Sequence, residues 1–166
     1  MFMATRTRTY SWEDPMQLLK ILSRMSGLEA LKGILAGEIP PPPLASTLNM
    51  QLESVEAGKT VFTIDPAEYH YNALGVLHGG VASTLIDSAM GCAVHSVLPA
   101  GVGYATLELH VNFIRPLTAE SGRIRCTGEV IHYGKRIATA EARITDIDGK
   151  LYNHGTTTCM ILSPEA

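Results

Sequence analysis

Residues 79–97 read Gly-Gly-Val-Ala-Ser-Thr-Leu-Ile-Asp-Ser-Ala-Met-Gly-Cys-Ala-Val-His-Ser-Val. The run reads as one long helix, with Val81, Leu85, Ala89, Cys92, Ala93 and Val97 as candidates for its packed face. Strand-like segments lie on either side. Thr47–Val55 and Thr60–Asp65 come before it, joined at Ala57-Gly58 as a hairpin, and Pro66–Leu77 is mostly loop. After Gly101, Tyr104–Ile114 alternates strictly, with Leu107, Leu109, Val111 and Phe113 on one face and Thr106, Glu108, His110 and Asn112 on the other. Gly122–His132, Arg136–Thr145 and Leu151–Ile161 follow, the last two joined by a turn at Asp148-Gly149. The order strand, strand, long helix, four strands predicts an α+β fold. An antiparallel sheet wrapped around one central helix explains why that helix is apolar almost all round.

The chain before this pattern is different. Pro15–Met25 places Leu18, Leu19, Leu22 and Met25 at helical spacing, with Asp14 as N-cap and Pro15 at the first helical position. A second short helix covers Leu28–Leu35 and ends at Gly37. Pro40–Pro43 reads as a stiff spacer that is neither helix nor central strand. Residues 1–43 are therefore expected to be a helical appendage and proline-rich linker, and 44–166 the main domain. The appendage is read as a lid or packing element.

Bulk properties narrow the function. The 166 residues suffice for one domain with a substantial core plus an extra segment, and 46% hydrophobic against 17% charged residues suits a globular chain. A net charge of -3 gives no overall attraction to nucleic acid or an anionic membrane. Cys92, Cys126 and Cys159 are odd in number and widely spaced, which fits a reducing compartment and no disulfide framework. No apolar run follows Arg6 and Arg8 to make a secretory signal, and Asp87 and His95 interrupt the most apolar stretch, Gly79–Leu98. The expected location is cytoplasmic. No HExxH or paired metal spacing, GxGxxG, P-loop or GxSxG occurs, so the expectation is no metal, no nucleotide cofactor and no serine nucleophile.

The chemistry is carried by Asn72-Ala-Leu-Gly-Val-Leu-His78-Gly79-Gly80, followed by Asp87. Paired glycines at a helix start leave backbone N–H groups uncovered at its electropositive end, a natural site for an oxygen that becomes negative during acyl transfer. Asp87, in an otherwise apolar run, needs a partner or a wet cleft, and it is the candidate base or nucleophile. Along a helix, eight positions separate Gly79 from Asp87 by about 12 Å. Catalytic contacts require roughly 3 Å. If both groups serve one carbonyl, they come from different subunits.

The pattern Asn72, Gly75, His78-Gly79-Gly80 and Asp87, continued by Tyr104-Ala-Thr-Leu-Glu-Leu-His-Val-Asn-Phe-Ile-Arg-Pro116, resembles the hotdog-fold acyl-CoA thioesterases. Within the 4-hydroxybenzoyl-CoA thioesterase superfamily, the likeness is to the phenylacetate-degradation-type (PaaI-like) branch, over roughly Leu44–Ile161. The resemblance implies hydrolysis of an acyl-CoA thioester to a carboxylate and free coenzyme A. It gives Gly79 the N–H that polarises the carbonyl and Asn72 the amide that orients the thioester or the water. It makes His78 a structural histidine of the loop, Asp87 the catalytic carboxylate from the neighbouring subunit, and Thr106 a hydroxyl that places the attacking water. Arg115, Lys135 and Arg136 are candidates for the phosphates of coenzyme A, which arrives as part of the substrate, so no separate cofactor is expected. A homotetramer, built as a dimer of dimers, is implied. Two other readings are weighed. A hotdog dehydratase or hydratase would bring a histidine–acid pair in motifs absent here. A non-catalytic acyl-CoA sensor needs an output element, and Lys20, Arg24 and Lys32 make only a thin footprint for DNA. The N-terminal helix could cover the acyl pocket and set chain length.

Overall fold

The computed structural model describes residues 4–163. Residues 1–3 of the expected appendage and 164–166 of the expected main domain lie outside the described residues. Helices α1 (Pro15–Leu22), α2 (Gly27–Leu35) and α3 (Pro43–Leu48) come first. Strands β1 (Gln51–Glu56) and β2 (Lys59–Ile64), helix α4 (Gly79–His95) and strands β3 (Gly103–Phe113), β4 (Ile124–Tyr133), β5 (Ile137–Thr145) and β6 (Leu151–Leu162) follow. The strands form one antiparallel sheet in the order β1-β2-β4-β5-β6-β3, with α4 against it. This is the α+β architecture expected from the sequence.

Local chemistry sets the element ends. The Asp14 carboxylate accepts from the Met16 N–H at 2.8 Å and Pro15 opens α1. Ser26 and Glu29 form a capping box on α2, with the Ser26 N–H donating to Glu29 Oε2 at 3.0 Å. Gly58 and Gly149, at φ 81° and 80°, supply the left-handed residues of the two hairpin turns.

Four expectations need correction. Pro43 is the first residue of α3 and not part of a spacer, because proline suits a position where no helical N–H bond is lost. Helix α3 carries Thr47 and Leu48, and Asn49 ends it in the left-handed region at φ 54°, so β1 starts at Gln51 and not at Thr47. Helix α1 stops at Leu22 and buries only Leu18, leaving Met16, Leu19 and Ile21 exposed. Finally, β3 does not alternate strictly. Its register against β6 shifts between Thr106 and Glu108, so Leu107 is the extra residue of a bulge and lies 57% exposed. The bulge changes the phase of the strand. Tyr104 and Thr106 turn toward α4, on the same side as Leu109 and Val111 and not opposite them.

The sheet buries more of α4 than the expected face. Ala82, Ile86, Met90 and Val94 join Leu85, Ala89 and Ala93 in the core, while Val81, Cys92 and Val97 are only partly buried. The closest approach is at the middle of the helix. A methyl group on Gly128 of β4 would stand 2.5 Å from the carbonyl carbon and oxygen of Ala89. The buried Thr60 hydroxyl of β2 donates to that same oxygen at 2.8 Å. Replacing Gly128 by alanine forces helix and sheet apart, and overpacking of this kind costs about 1–3 kcal/mol. Urea denaturation of Gly128→Ala is expected to show at least that loss, whereas Gly37→Ala, with nothing within 4 Å of the new methyl, shows only the smaller backbone cost of its φ of 74°.

Candidate active site

The loop before α4 is held by its own polar groups. Asn72 Oδ1 accepts from the Leu74 N–H at 2.8 Å and from the Val76 N–H at 3.5 Å, and the Asn72 N–H donates to the Val76 carbonyl at 2.8 Å. His70, 2% exposed, accepts from the Ala67 N–H through Nδ1 at 3.1 Å, so its Nε2–H donates to the Leu48 carbonyl at 2.9 Å. His78 is the N-cap of α4, and its Nδ1 accepts from the Gly80 N–H at 2.8 Å. The His78 carbonyl takes the Val81 and Ala82 N–H groups. The Gly79 N–H has no hydrogen-bond partner among the described residues. It is the free donor at the electropositive end of a long helix.

Gly79 lines a cavity of about 320 Å³ together with Asn72, Phe113, Arg115, Leu117 and Asn153. The Phe113 ring lies 3.3 Å from where a side chain on Gly79 would begin. Since the Asn72 oxygen is engaged in its own loop, its amide N–H group is the part left to donate to a ligand. Asn153 was missed in the sequence. It is 2% exposed and its Oδ1 has no partner. A signal existed: Asn153 shares the inward register of β6 with Gly155, Thr157 and Cys159, where an unpaired amide is costly unless something meets it.

Asp87 stands two turns further along α4. It is half-buried, and the Thr106 hydroxyl donates to its Oδ1 at 3.0 Å, a contact that the β3 bulge makes possible. Asp87 lines a second cavity, of about 490 Å³, beside Ser88, Cys92 and Tyr104. Burial, and after it the nearby Asp87 charge, pushes the Cys92 thiol up to about 12. Burial likewise drives the Tyr104 phenol well above its ordinary value. Both are neutral near pH 7, and Asp87 is the one acidic or basic side chain among Asp, Glu, Lys and Arg that lines this cavity. Of the three cations expected to meet phosphates, Arg115 lines the Gly79 cavity and donates through Nη1 to the Leu151 carbonyl. Lys135 and Arg136 stand exposed at the β4–β5 turn, outside both cavities. Among the described residues, no group of three or more His, Cys, Asp or Glu side chains could hold a metal. None of the described helices is long and apolar enough to cross a membrane.

Comparison with known proteins gives a consistent picture. Residues 74–152 match the model of the Thioesterase superfamily. The chain is 33% identical over 109 residues to the 1,4-dihydroxy-2-naphthoyl-CoA hydrolase of Listeria monocytogenes, covering 65% of this chain and 86% of that protein. It is 30% identical over 106 residues to human acyl-coenzyme A thioesterase 13, covering 63% and 74% of the two. The crystal structure of a phenylacetic acid degradation-related protein from Ralstonia eutropha superposes with a TM-score of 0.71 at 28% identity, over 78% of this chain and 98% of that one.

Burial lowers the His70 pKa, against the opposing pull of its bond to the Leu48 carbonyl. With the folded value below the unfolded one near 6.5, the unfolded chain takes up the proton first. The stabilisation is complete above the unfolded value and is lost as pH falls through the folded one. Burial lowers His95 in the same direction. The melting temperature is therefore expected to fall between pH 7 and pH 5, and to fall less steeply in a His70→Gln variant. Equal slopes would show that His70 does not titrate with folding.

Proposed function

The chain belongs to the thioesterase superfamily and is a thioester hydrolase of hotdog fold that acts on acyl-CoA; from that premise we propose that Asp87 of one subunit and Gly79 of another act on the same thioester carbonyl. The observation that carries this reading is that the two residues lie about 12 Å apart on one rigid helix and line different cavities of the same chain.

The shape of β3 supports a second copy. It is an eleven-residue edge strand, paired with β6 on one side and with no strand on the other among the described residues. Such an edge is a ready template for another chain. One end of β3 holds Thr106 against Asp87, and the other holds Phe113 against Gly79. Antiparallel pairing of two copies of β3 about a two-fold axis near Leu109 brings the Asp87 end of one copy to the Gly79 end of the other. Two such dimers make the tetramer. Residues 44–166 form the catalytic domain and residues 1–43 its appendage, and the enzyme works in the cytoplasm.

In the completed site, the Gly79 N–H and the α4 dipole stabilise the oxyanion, and the Asn72 amide orients the thioester or the water. The Asp87 carboxylate, steadied by Thr106, takes the proton of the attacking water or attacks the carbonyl itself. The C–S bond breaks and the thiolate of coenzyme A leaves and is protonated. Where water attacked, the acyl group departs directly as a carboxylate; where Asp87 attacked, a water then hydrolyses the mixed anhydride to the free carboxylate and regenerates Asp87. A thiolate leaves readily, so no strong general acid is needed. His78 stays in its capping role. Arg115, Lys135 and Arg136 receive the phosphates of coenzyme A, which is substrate and not a cofactor.

Free-thiol release from a panel of aliphatic and aromatic acyl-CoAs tests this reading. A general base contributes about 10²–10⁴-fold, so Asp87→Asn is expected to lose at least about 100-fold in kcat with the oligomer intact. Thr106→Val is expected to lose roughly tenfold, as removal of one positioning hydrogen bond does. An Asp87→Asn enzyme that turns over at the wild-type rate would rule the carboxylate out.

A further inference from the structure

The cavity beside Asp87 has a wall that lies before the residues matched by the family model. Across from Asp87, Ser88 and Tyr104 stand Leu31 and Ile34 of α2 and Leu44 of α3, whereas the family match begins at residue 74. This wall belongs to the segment before the sheet.

Helix α2 is docked, not draped. Its capping box fixes the start, and the Gly27 N–H donates to the Leu98 carbonyl at 3.0 Å. A methyl on Gly27 would stand 1.7 Å from the His95 carbonyl oxygen, so the helix start abuts the end of α4 with no space between them. At the other end, a methyl on Gly33 would stand 2.6 Å from the Ile39 side chain. With its start fixed on α4 and its body packed against β1, α2 leaves the distance across the cavity to the side chains that it presents. Leu31 is only 4% exposed, whereas Ile34 remains partly open and forms the adjustable surface.

The chemistry of this space selects its occupant. At about 490 Å³ it falls within the roughly 300–1,000 Å³ range of small-ligand pockets. Its walls are largely aliphatic, and its one charged lining residue is Asp87. A phosphate or a second carboxylate would be left unpaired there and repelled. An uncharged apolar group is not. Asp87 lies at the reacting carbonyl in the proposed reaction, so the group next to it is the acyl chain.

We infer that α2 forms one wall of the acyl site, that Ile34 sets the largest acyl group accepted, and that acyl groups ending in a carboxylate are rejected. The inference rests on the proposed reaction at Asp87. It assigns the wall to the subunit that supplies the carboxylate.

The test is kcat/KM by free-thiol release for acetyl-, hexanoyl-, decanoyl-, palmitoyl- and succinyl-CoA, with wild type, Ile34→Phe and Ile34→Ala, beside the melting temperature of each. One methylene in an apolar pocket is worth roughly 10–200-fold. Ile34→Phe is expected to lower the ratio of the longest well-used substrate to the shortest by at least about tenfold, and Ile34→Ala to move the optimum to a longer chain. Succinyl-CoA is expected to be used at least about 100-fold less well than hexanoyl-CoA. Folded variants whose profiles run parallel to wild type would overturn the role of Ile34 while leaving the hydrolase reading intact. Wild-type protein that releases no thiol from any of these substrates would instead overturn the reaction at Asp87, and the inference with it.

Discussion

Helix α4 lies so close to the sheet that the backbone of Ala89 touches the space where Gly128 would carry a side chain, and Thr60 closes the contact with a hydroxyl on the same carbonyl. Gly155 on β6 is packed as tightly, with no room for a methyl between the His110 carbonyl and Ile86. Cores are close-packed and transmit small displacements. Two glycines on the strands and small residues along the helix therefore fix the axis of α4 with little freedom to slide or tilt. Both positions of that helix proposed to act on the thioester inherit the constraint. Its N-terminus is held where the Gly79 N–H opens on a cavity, and Asp87 is held two turns away.

Strand β3 carries this rigidity to both residues of the proposed reaction. Without the bulge at Leu107, alternation would turn Thr106 away from the helix and leave Asp87 without its hydroxyl partner. Beyond the bulge the strand returns to ordinary packing, with Leu109 and Val111 against the core and Phe113 beside Gly79. One edge strand thus touches both residues of the proposed reaction, and the proposed pairing with a second copy is the simplest way to bring them together.

Much of this was legible in the sequence because it depends on local pattern. The long apolar run with one aspartate, the Asp14-Pro15 helix start and the glycines of two hairpins each carry a physical signature that needs no tertiary context. The paired glycines after His78 signal a helix start, and the Gly79 N–H there has no hydrogen-bond partner among the described residues. Other features depend on neighbours distant in the chain. The bulge at Leu107 looks like plain alternation until β6 sets the register. Pro43 reads as a breaker until it is seen to open a helix rather than interrupt one. Asn153 looks like any strand residue until its inward register leaves its oxygen unpaired beside the Gly79 cavity. The wall made by Leu31 and Ile34 follows from how α2 docks on the end of α4, which periodicity in α2 alone does not reveal.

A divided site is tested most directly by combining two subunits, each inactive for a different reason. Gly79→Pro deletes the N–H at a first helical position, where proline is tolerated, and the extended backbone of His78, at ψ 134°, suits a residue before proline. Asp87→Asn deletes the carboxylate. In a mixed dimer one site carries both defects and the other carries neither. Random association of the two variants in a symmetric dimer is then expected to restore about a quarter of wild-type turnover. A co-refolded mixture with demonstrated subunit exchange that stays as inactive as its two parents would contradict the divided site and place both groups in a single chain.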